Sequence, residues 1–565
     1  MNSRWFKTRT VFLTIFFISA VLLIFKHVNS GRLINSDILY PEFLYLDFFI
    51  SPFKLSGWQV VRAPAFFPDW PLYFLARWIS GEFLKAHAFY MSALLLCYML
   101  FFRTFIKFFF KSSLDGRQIY YYCIGFGALI AFPLSFRSYL FNYTDIPLLD
   151  PTNHQSPMIL GFPIVMIWLN ALEGKIIKAK HYIASFLLAV VGTASDLWFV
   201  FHVVFPLTLA VLIIWRLRKT NNKLPEVILG LLLYAGAFVG FLIPFILSYK
   251  NILMLPFAPV GLRPANINAF IEIFFDQFRL MWGSFRTAFQ ENTIYGFSVL
   301  LAFALVILYF IKFYKNRTKG NFSFPFIGFN LFFVMNTFVV VMLIAVNGMW
   351  VGIGNLRYMI PMFLLSFFII GYHVVNIVIE KKIFERTALY FFYACCFFLA
   401  MAPMKWPVSI PESPYIPPME CLDNVSKDHN LKYGLGEYWE SKYFTFLSKN
   451  NLVIHQINYY FEPLYWINNY QWYLNPETNQ LFDYDFLFLA AGGESYKRAN
   501  ETVGAPSLDI NCHGYRVLIY KDESRKHLNE ALKPKFQKFI DEMKAGDPRP
   551  FWKYVLNIKD KVPGQ

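Results

Sequence analysis

The stretch VILGLLLYAGAFVGFLIPFILS, residues 227–248, decides the fold because it contains no charged side chain. About 20 predominantly apolar residues suffice for a helix to cross the hydrocarbon core of a bilayer. Similar runs recur along the 565 residues, of which 57% are hydrophobic and 16% charged. Soluble domains average about 45–50% apolar and about 25% charged residues. The sequence therefore predicts an α-helical polytopic membrane protein.

The apolar runs predict eleven membrane spans, and the loops between them alternate in character. Short basic loops such as 216–223 and 312–320 alternate with longer loops rich in aromatic and acidic residues, such as 27–86 and 249–292. Basic loops mark the cytoplasmic side. We therefore expect a multi-pass membrane protein whose N-terminus is cytoplasmic. The predicted spans are residues 10–26, 87–109, 119–136, 157–173, 181–195, 197–215, 227–248, 293–312, 324–346, 358–380 and 387–403.

Two features of this topology constrain its interpretation. The turn at residues 194–198 is so short that the two flanking spans could instead form one bent helix. The formal net charge of +16 lies largely in the short loops, which is the pattern of a membrane protein and argues against a nucleic-acid partner.

The composition changes after residue 403. A proline-rich connector at 402–418 cannot continue a helix, and strand-like runs follow at 451–457, 484–490 and 515–520. The sequence predicts a transmembrane domain at 1–403 and a small extracytoplasmic (periplasmic) α/β domain at 404–565. Cys421 and Cys512 are the only two cysteines of this tail. In an oxidising compartment we predict a disulfide between them, with two free thiols as the alternative.

The segment NSDILYPEFLYLD, residues 35–47, follows the first apolar run and carries three acids. Two interpretations of Asp37 are open. It could cap an interfacial helix that begins at this point, or it could act as a general base on a substrate that enters from the bilayer. Asp47 is expected to be solvated on a helix surface. Asp69, in the turn-like FFPDW, is the second candidate acid.

The order of a first span and then a large outward loop with an acid near its start resembles the C-type glycosyltransferase (GT-C) superfamily. That group includes protein O-mannosyltransferases, oligosaccharyltransferase catalytic subunits and aminoarabinose transferases. Several short motifs also resemble a group of bacterial inner-membrane proteins with this layout, a likeness that implies no specific substrate. These motifs are SDILYP (36–41), APAFFPDW (63–70), ASDLWFVFHVVFP (194–206), GNLRYMIP (354–361), CLDNVSKDHNLKYGLGEYWESK (421–442) and PLYWINNYQWY (463–473).

The resemblance implies a membrane glycosyltransferase that takes a sugar from a polyprenyl-phosphate lipid, usually with inversion. Asp37 would then deprotonate an acceptor hydroxyl, with Asp69 as the second catalytic candidate. Arg357, beside Tyr358, would bind the lipid phosphate, because a guanidinium binds phosphate oxygens bidentately. An interfacial arginine that only reaches towards lipid headgroups is the competing interpretation, and Arg279 is an alternative cation. The implied partners are a lipid-linked sugar donor, membrane lipids and a glycan, lipid or protein acceptor.

Further polar residues of the outward loops are candidates for substrate binding. Asp196 could cap the next helix or line the site. His154 follows Asp145 and Asp150, but this spacing fits no specific zinc pattern, so no metal ligand is assigned and a divalent metal stays only possible.

Aromatic residues of the tail could form a small core or stack on sugar rings. Trp439 and Trp466 are the preferred sugar platforms, because Glu437, Asn468 and Asn469 lie close in sequence. No P-loop or nucleotide fingerprint occurs in the sequence, which disfavours a nucleotide-sugar donor.

Two other functions compete with the glycosyltransferase. A transporter or flippase of a lipid-linked saccharide is disfavoured, because the charges sit at one face and no internal repeat is apparent, whereas transporters are commonly built from repeats. A non-catalytic envelope assembly protein, with the tail as its recognition module, stays open.

Overall fold

The computed structural model describes most of the chain, in two compact units. The described ranges are 36–51, 55–61, 63–111, 156–217, 224–254, 267–291, 293–315, 323–347, 357–381 and 415–545, with isolated positions between them. The helical unit comprises the described residues of 1–26, 63–241 and 258–409, and the α/β unit comprises those of 27–62, 242–257 and 410–565. The α/β unit therefore contains two segments in addition to the predicted domain at 404–565.

The described elements are mainly helices. In chain order the helices are α1 (Tyr40–Phe49), α2 (Asp69–Ser80), α3 (Phe83–Phe110), α4 (Ser156–Leu172), α5 (Ala179–Ser195), α6 (Phe205–Leu217), α7 (Leu224–Tyr249), α8 (Ile267–Glu291), α9 (Thr293–Lys315), α10 (Phe324–Asn347), α11 (Ile360–Lys381), α12 (Pro417–His429), α13 (Tyr438–Leu447), α14 (Glu494–Val503) and α15 (Asp522–Ala545). The strands are β1 (Trp58–Gln59), β2 (Tyr433–Gly436), β3 (Val453–Gln456), β4 (Asn468–Asn469), β5 (Phe486–Ala490), β6 (Leu508–Cys512) and β7 (Tyr515–Ile519).

Among the described residues, six helices are long and apolar enough to cross a membrane, which confirms a helical membrane protein. They are Phe83–Phe110, Val200–Leu217, Leu224–Tyr249, Phe297–Lys315, Phe324–Val346 and Arg357–Ile377. The predicted spans at 157–173 and 181–195 correspond to the shorter helices α4 and α5. The spans predicted at 10–26, 119–136 and 387–403 lie wholly or largely outside the described residues.

The turn at residues 194–198 separates two helices. α5 ends at Ser195, and Asp196 has extended backbone angles, φ −156° and ψ 115°. The chain re-enters a helix at Trp198 and passes through a short π-helical segment, Val200–Val204, before α6 begins. The extended residue interrupts the helical hydrogen bonds, so the structure has two helices here and not one bent helix.

α7 packs closely on α5 because its facing residues have no side chains. A Cβ atom added at Gly236 would lie 2.6 Å from the carbonyl oxygen of Phe186, and one at Gly240 would lie 2.3 Å from that of Val190. The sequence GAFVG thus has the small-xxx-small spacing by which helices in membranes approach each other. Any larger residue at these two positions would push the helices apart.

The α/β unit is built on a five-stranded sheet with the order β3-β2-β5-β7-β6. β3, β2 and β5 are parallel, whereas β7 pairs antiparallel with both β5 and β6. Alternate residues of β5 face opposite sides of the sheet. Leu487 and Leu489 belong to one buried cluster with Phe536 of α15, and Phe486 and Phe488 belong to the other.

Three of these strands were expected from the sequence, and two were not. The runs at 451–457, 484–490 and 515–520 contain β3, β5 and β7. β2 has no alternating apolar pattern, whereas the alternation of β6, LDINC, covers only five residues. In the structure Cys421 of α12 and Cys512, the last residue of β6, form a disulfide whose Cα atoms are 5.6 Å apart. This bond ties the beginning of the tail to the sheet.

Candidate functional site

Asp37 lies against the first turn of α13 within the α/β unit. The hydroxyl of Tyr438 donates a 2.5 Å hydrogen bond to Oδ1 of Asp37. The buried hydroxyl of Ser36 donates to the backbone carbonyls of Tyr438 and Trp439, at 2.7 Å and 3.1 Å. Ser36 and Asp37, which are consecutive in the chain, are therefore both hydrogen-bonded to the first residues of α13.

The position of the α1 start bears on the capping interpretation of Asp37. α1 begins at Tyr40, its cap residue is Leu39, and the cap has no side-chain hydrogen bond. The side chain of Asp37 instead accepts from Tyr438. The cap residue of α1 is therefore Leu39 and not Asp37, whose carboxylate accepts from α13.

Lys442 is a buried cation beside this contact and was not among the residues predicted from the sequence. Its residue is 3% exposed, and its ammonium lies 4.9 Å from the ring centroid of Tyr438. It also donates a hydrogen bond to the carbonyl of Ile467. Burial lowers the pKa of Lys442 to about 7, and the negative charge of Asp37 opposes that shift. Tyr438 and Lys442 stand one turn apart on α13, so one helix face presents both to Asp37.

Asp47 is buried, contrary to the expectation that it would be solvated. It is 7% exposed, and its Oδ2 accepts hydrogen bonds from Trp58 at 2.8 Å, Asn469 at 2.8 Å and Trp472 at 2.9 Å. Burial raises the pKa of Asp47, and these donors act in the opposite direction. The expectation was wrong because the partners from the tail, which cover the carboxylate, are remote in sequence.

The two tryptophans proposed as sugar platforms differ in the structure. Trp439 is 56% exposed and lies edge-on to Tyr438, with ring centroids 4.9 Å apart. Trp466 is half-buried. Asn468 and Asn469 were expected to flank a sugar, but both are buried, and their side-chain amides donate to Tyr473 and Asp47. Of these two tryptophans, only Trp439 presents a broad exposed ring.

A second cluster lies in the helical unit and joins four of the predicted residues. Nδ1 of His154 is 2.7 Å from Oδ2 of Asp196. Oδ1 of Asp196 accepts from the backbone N–H of Trp198 at 3.0 Å. One oxygen of Asp196 thus caps the following helix and the other binds His154, while the predicted role in lining a substrate site stays a prediction.

Aromatic rings complete this cluster. The ring centroid of Tyr358 is 4.8 Å from that of His154 and 4.8 Å from that of Trp198, on which it stacks. Cζ of Arg357 lies 5.4 Å from the centroid of Tyr358. The cluster therefore combines a cation, an acid–histidine pair and flat aromatic surfaces, which together suit a ligand that carries phosphate.

No family model, no curated protein and no solved structure matches this chain.

The resemblance to C-type glycosyltransferases accordingly stays a prediction, and functional inference depends on the residues themselves.

The remaining predicted residues lie apart from these contacts or have partners of their own. Asp69 is buried in the first turn of α2 and accepts a hydrogen bond from the hydroxyl of Tyr90. Arg279 is exposed on α8 and forms a 3.2 Å ion pair with Asp276 of the same helix. Such a surface pair contributes little free energy.

The structure gives no support for a resident metal in the part of the chain that it describes. Within those residues, no three histidine, cysteine or acidic side chains form a group that could hold an ion. Asp145 and Asp150, which precede His154, lie outside the described residues. The possibility of a divalent metal is therefore left to experiment.

Proposed function

We propose that this protein is a membrane glycosyltransferase that moves a hexosyl or pentosyl unit from a polyprenyl-phosphate carrier to an extracytoplasmic acceptor, with Asp37 as the general base. The observation that carries the proposal is the hydrogen bond between Tyr438 and Asp37, at the start of the loop that follows the first predicted span. A general base must be held in a fixed orientation within hydrogen-bond reach of its proton. Tyr438 supplies that orientation.

The chemistry assigned to Asp37 is one proton transfer coupled to one displacement. A carboxylate offers about four lone-pair positions, so it can take a proton from a substrate while Oδ1 accepts from Tyr438. The acceptor hydroxyl gives its proton to Asp37, and its oxygen bonds to the anomeric carbon. The bond between that carbon and the phosphate oxygen breaks, and the phosphate keeps the electron pair and leaves on its lipid.

Trp439 is assigned to the sugar or the glycan acceptor. It follows Tyr438 directly in α13, and more than half of its surface is exposed. The faces of sugar rings carry C–H groups that pack against flat aromatic surfaces, and tryptophan offers the largest such surface of any side chain. A ligand stacked on Trp439 would lie next to the residue that holds Asp37.

Arg357 is assigned to the lipid phosphate. Its guanidinium carries a permanent charge and can bind two phosphate oxygens at once, which suits a phosphate leaving group. Arg357 is the first residue of the apolar helix Arg357–Ile377. Arg357→Lys is expected to lower turnover, because a point charge replaces the planar fork.

The proposal retains eleven spans, a cytoplasmic N-terminus and a periplasmic α/β unit in a bacterial inner membrane. The alternation of basic loops supports this orientation. The disulfide between Cys421 and Cys512 supports an oxidising compartment for the tail.

The test is transfer by purified protein from a panel of polyprenyl-phosphate-linked hexoses and pentoses, with a membrane extract as acceptor and released polyprenyl phosphate as the readout. Asp37→Asn should lower the rate by about 10²–10⁴-fold, the scale of general-base loss. The matched control is Asp428→Asn, since Asp428 is an exposed acid of α12 in the same unit. Release from no donor of the panel would refute the reaction, and an unchanged rate for Asp37→Asn would refute the base. A parallel series with a chelator decides the metal requirement.

A further inference from the structure

We propose that His154 and Asp196, together with Tyr358 and Arg357, form a binding site that selects phosphate monoesters over phosphodiesters by sharing a proton with the ligand. The site lies wholly in the helical unit. It involves neither Asp37 nor any sugar. This proposal rests on the proposed function in one respect only, namely that the phosphate is carried on a polyprenyl lipid.

The hydrogen bond to Asp196 fixes the tautomer of the histidine ring. Nδ1 of His154 is 2.7 Å from Oδ2 of Asp196, whose side chain is 2% exposed. An ionised carboxylate can only accept, so Nδ1 carries the hydrogen, and Nε2 of the neutral ring carries the lone pair. The other carboxylate oxygen accepts from the backbone of Trp198, so Asp196 cannot rotate away without losing that bond.

The surroundings of His154 point to a ligand at Nε2. Among the residues that the structure describes, Nε2 has no hydrogen-bond partner. His154 has a φ of 57°, in the left-handed region that non-glycine residues seldom adopt. Such a conformation persists where the surroundings hold it, and binding sites are a frequent location. The rings of Tyr358 and Trp198 lie 4.8 Å and 6.1 Å from the imidazole and limit its movement.

The ligand class follows from what Nε2 can accept. A phosphate monoester has a second acidic proton with a pKa of about 6. When the monoanion binds, that proton passes from the phosphate oxygen to Nε2; when the dianion binds, Nε2 takes a proton from water and hydroxide leaves to the solvent. Either route ends with an imidazolium, stabilised by Asp196, against a phosphate dianion, and Arg357 adds a second positive charge beside Tyr358. No bond to phosphorus breaks.

A phosphodiester lacks this second proton and carries a single negative charge. It can use Arg357, but its single negative charge stabilises an imidazolium less than the two charges of a monoester do. Under the proposed function the sugar-loaded carrier is a diester and the spent carrier is a monoester, so this site would recognise the spent carrier. The same chemistry also fits free inorganic phosphate.

The experiment measures binding of three probes to the purified full-length protein by calorimetry: farnesyl monophosphate, the methyl diester of farnesyl phosphate, and inorganic phosphate. We expect the monoester to bind at least on the order of tenfold more tightly than the diester, the scale of one charge-assisted hydrogen bond. Tighter binding of farnesyl monophosphate than of inorganic phosphate assigns the site to a lipid, and equal binding assigns it to free phosphate.

Two variants test whether His154 and Asp196 cause the preference for monoesters over diesters. His154→Gln should abolish the preference by weakening binding of the monoester more than binding of the diester. Asp196→Asn should reduce the preference, because a neutral amide does not stabilise an imidazolium. His527→Gln is the matched control, since His527 is exposed on α15. Equal affinity of the wild type for monoester and diester overturns the proposal even if a variant fails to fold, and so does a preference that survives in His154→Gln. Asp37→Asn should bind the monoester normally, so failure of the transferase assignment and failure of this site are separable.

Discussion

The hydroxyl of Tyr438 and the carboxylate of Asp37 are joined by a 2.5 Å hydrogen bond although 401 positions separate them in the chain. Ser36 reaches the same turn of α13 through its own hydroxyl. The acid after the first apolar run is therefore positioned by the tail and not by its own helix. The role of Tyr438 can therefore be tested by substituting it both in the wild type and in the Asp37→Asn variant.

Tyr438→Phe removes the hydroxyl and keeps the ring. A hydrogen bond to a charged group contributes about 1.5–3 kcal/mol, so we expect transfer to fall by about 10–100-fold if that bond orients the base. In the Asp37→Asn background the same substitution should have little further effect, because residues that act as a unit are not additive. A full additional loss in the double variant would show that Tyr438 acts independently. Tyr459→Phe, at an exposed tyrosine, is the control.

Asp69 and Tyr90 provide a second comparison, within the helical unit. The buried carboxylate of Asp69 accepts from the Tyr90 hydroxyl. If Asp69 is structural, Asp69→Asn and Tyr90→Phe should each destabilise by about 1–3 kcal/mol, the cost of an unsatisfied buried polar group. Transfer should then fall far less than in Asp37→Asn. Thermal unfolding beside the transfer assay separates these roles, and a rate loss in Asp69→Asn that matches Asp37→Asn would make Asp69 a partner in catalysis.

The disulfide closes a loop with a sequence separation of 91 residues. In the chain-entropy model such a loop contributes about 4–5 kcal/mol, less where the native state is strained. We expect a change in non-reducing gel mobility that is lost in Cys421→Ser and in Cys512→Ser. Alkylation of both thiols in native, oxidised membranes would contradict the bond.

Membrane orientation can be measured with single cysteines in a background without the native ones. Lys427→Cys in the tail should react with an impermeant maleimide in spheroplasts, and so should positions within 255–290. Lys223→Cys in a basic loop should react only after the membrane is opened. Labelling of residue 223 in intact spheroplasts would reverse the proposed topology.

The sequence predicted most of the elements whose signal is local. Apolar runs located the six long helices, and strand-like runs located β3, β5 and β7. β2 has the sequence YGLG, in which two glycines carry no pattern, so it could not be recognised. Its glycines allow close packing, since a Cβ at Gly434 would lie 2.3 Å from the ring of Phe486.

Most residues of the candidate sites could be predicted from the sequence, but the contacts between them could not. His154, Asp196, Arg357 and Tyr358 were identified one by one, and the fold brings them together. The burial of Asp47 had no local signal, because Asn469 and Trp472 are 422 and 425 positions away. Lys442 was missed for the same reason, since only the folded unit reveals that its ammonium is buried.

Lys442 gives the stability of the α/β unit a specific pH dependence. Burial lowers its pKa from the ordinary value of 10.5 to about 7. Between these two values the unfolded chain binds a proton that the folded chain lacks, so the free energy of unfolding rises with pH. The slope can reach about 1.4 kcal/mol per pH unit, and it vanishes below pH 7, where both states are protonated.

Lys442→Met removes the titrating group and keeps most of the side-chain volume. The free energy of unfolding of the wild type minus that of the variant should therefore increase from pH 7 to pH 9.5. Urea denaturation of the full-length protein, with brief proteolysis of the α/β unit as the readout, measures this difference at each pH. Lys427→Met, at an exposed lysine of α12, should differ from the wild type by a constant amount. Parallel curves for the wild type and Lys442→Met would show that Lys442 keeps its proton throughout this range and that its ammonium is solvated.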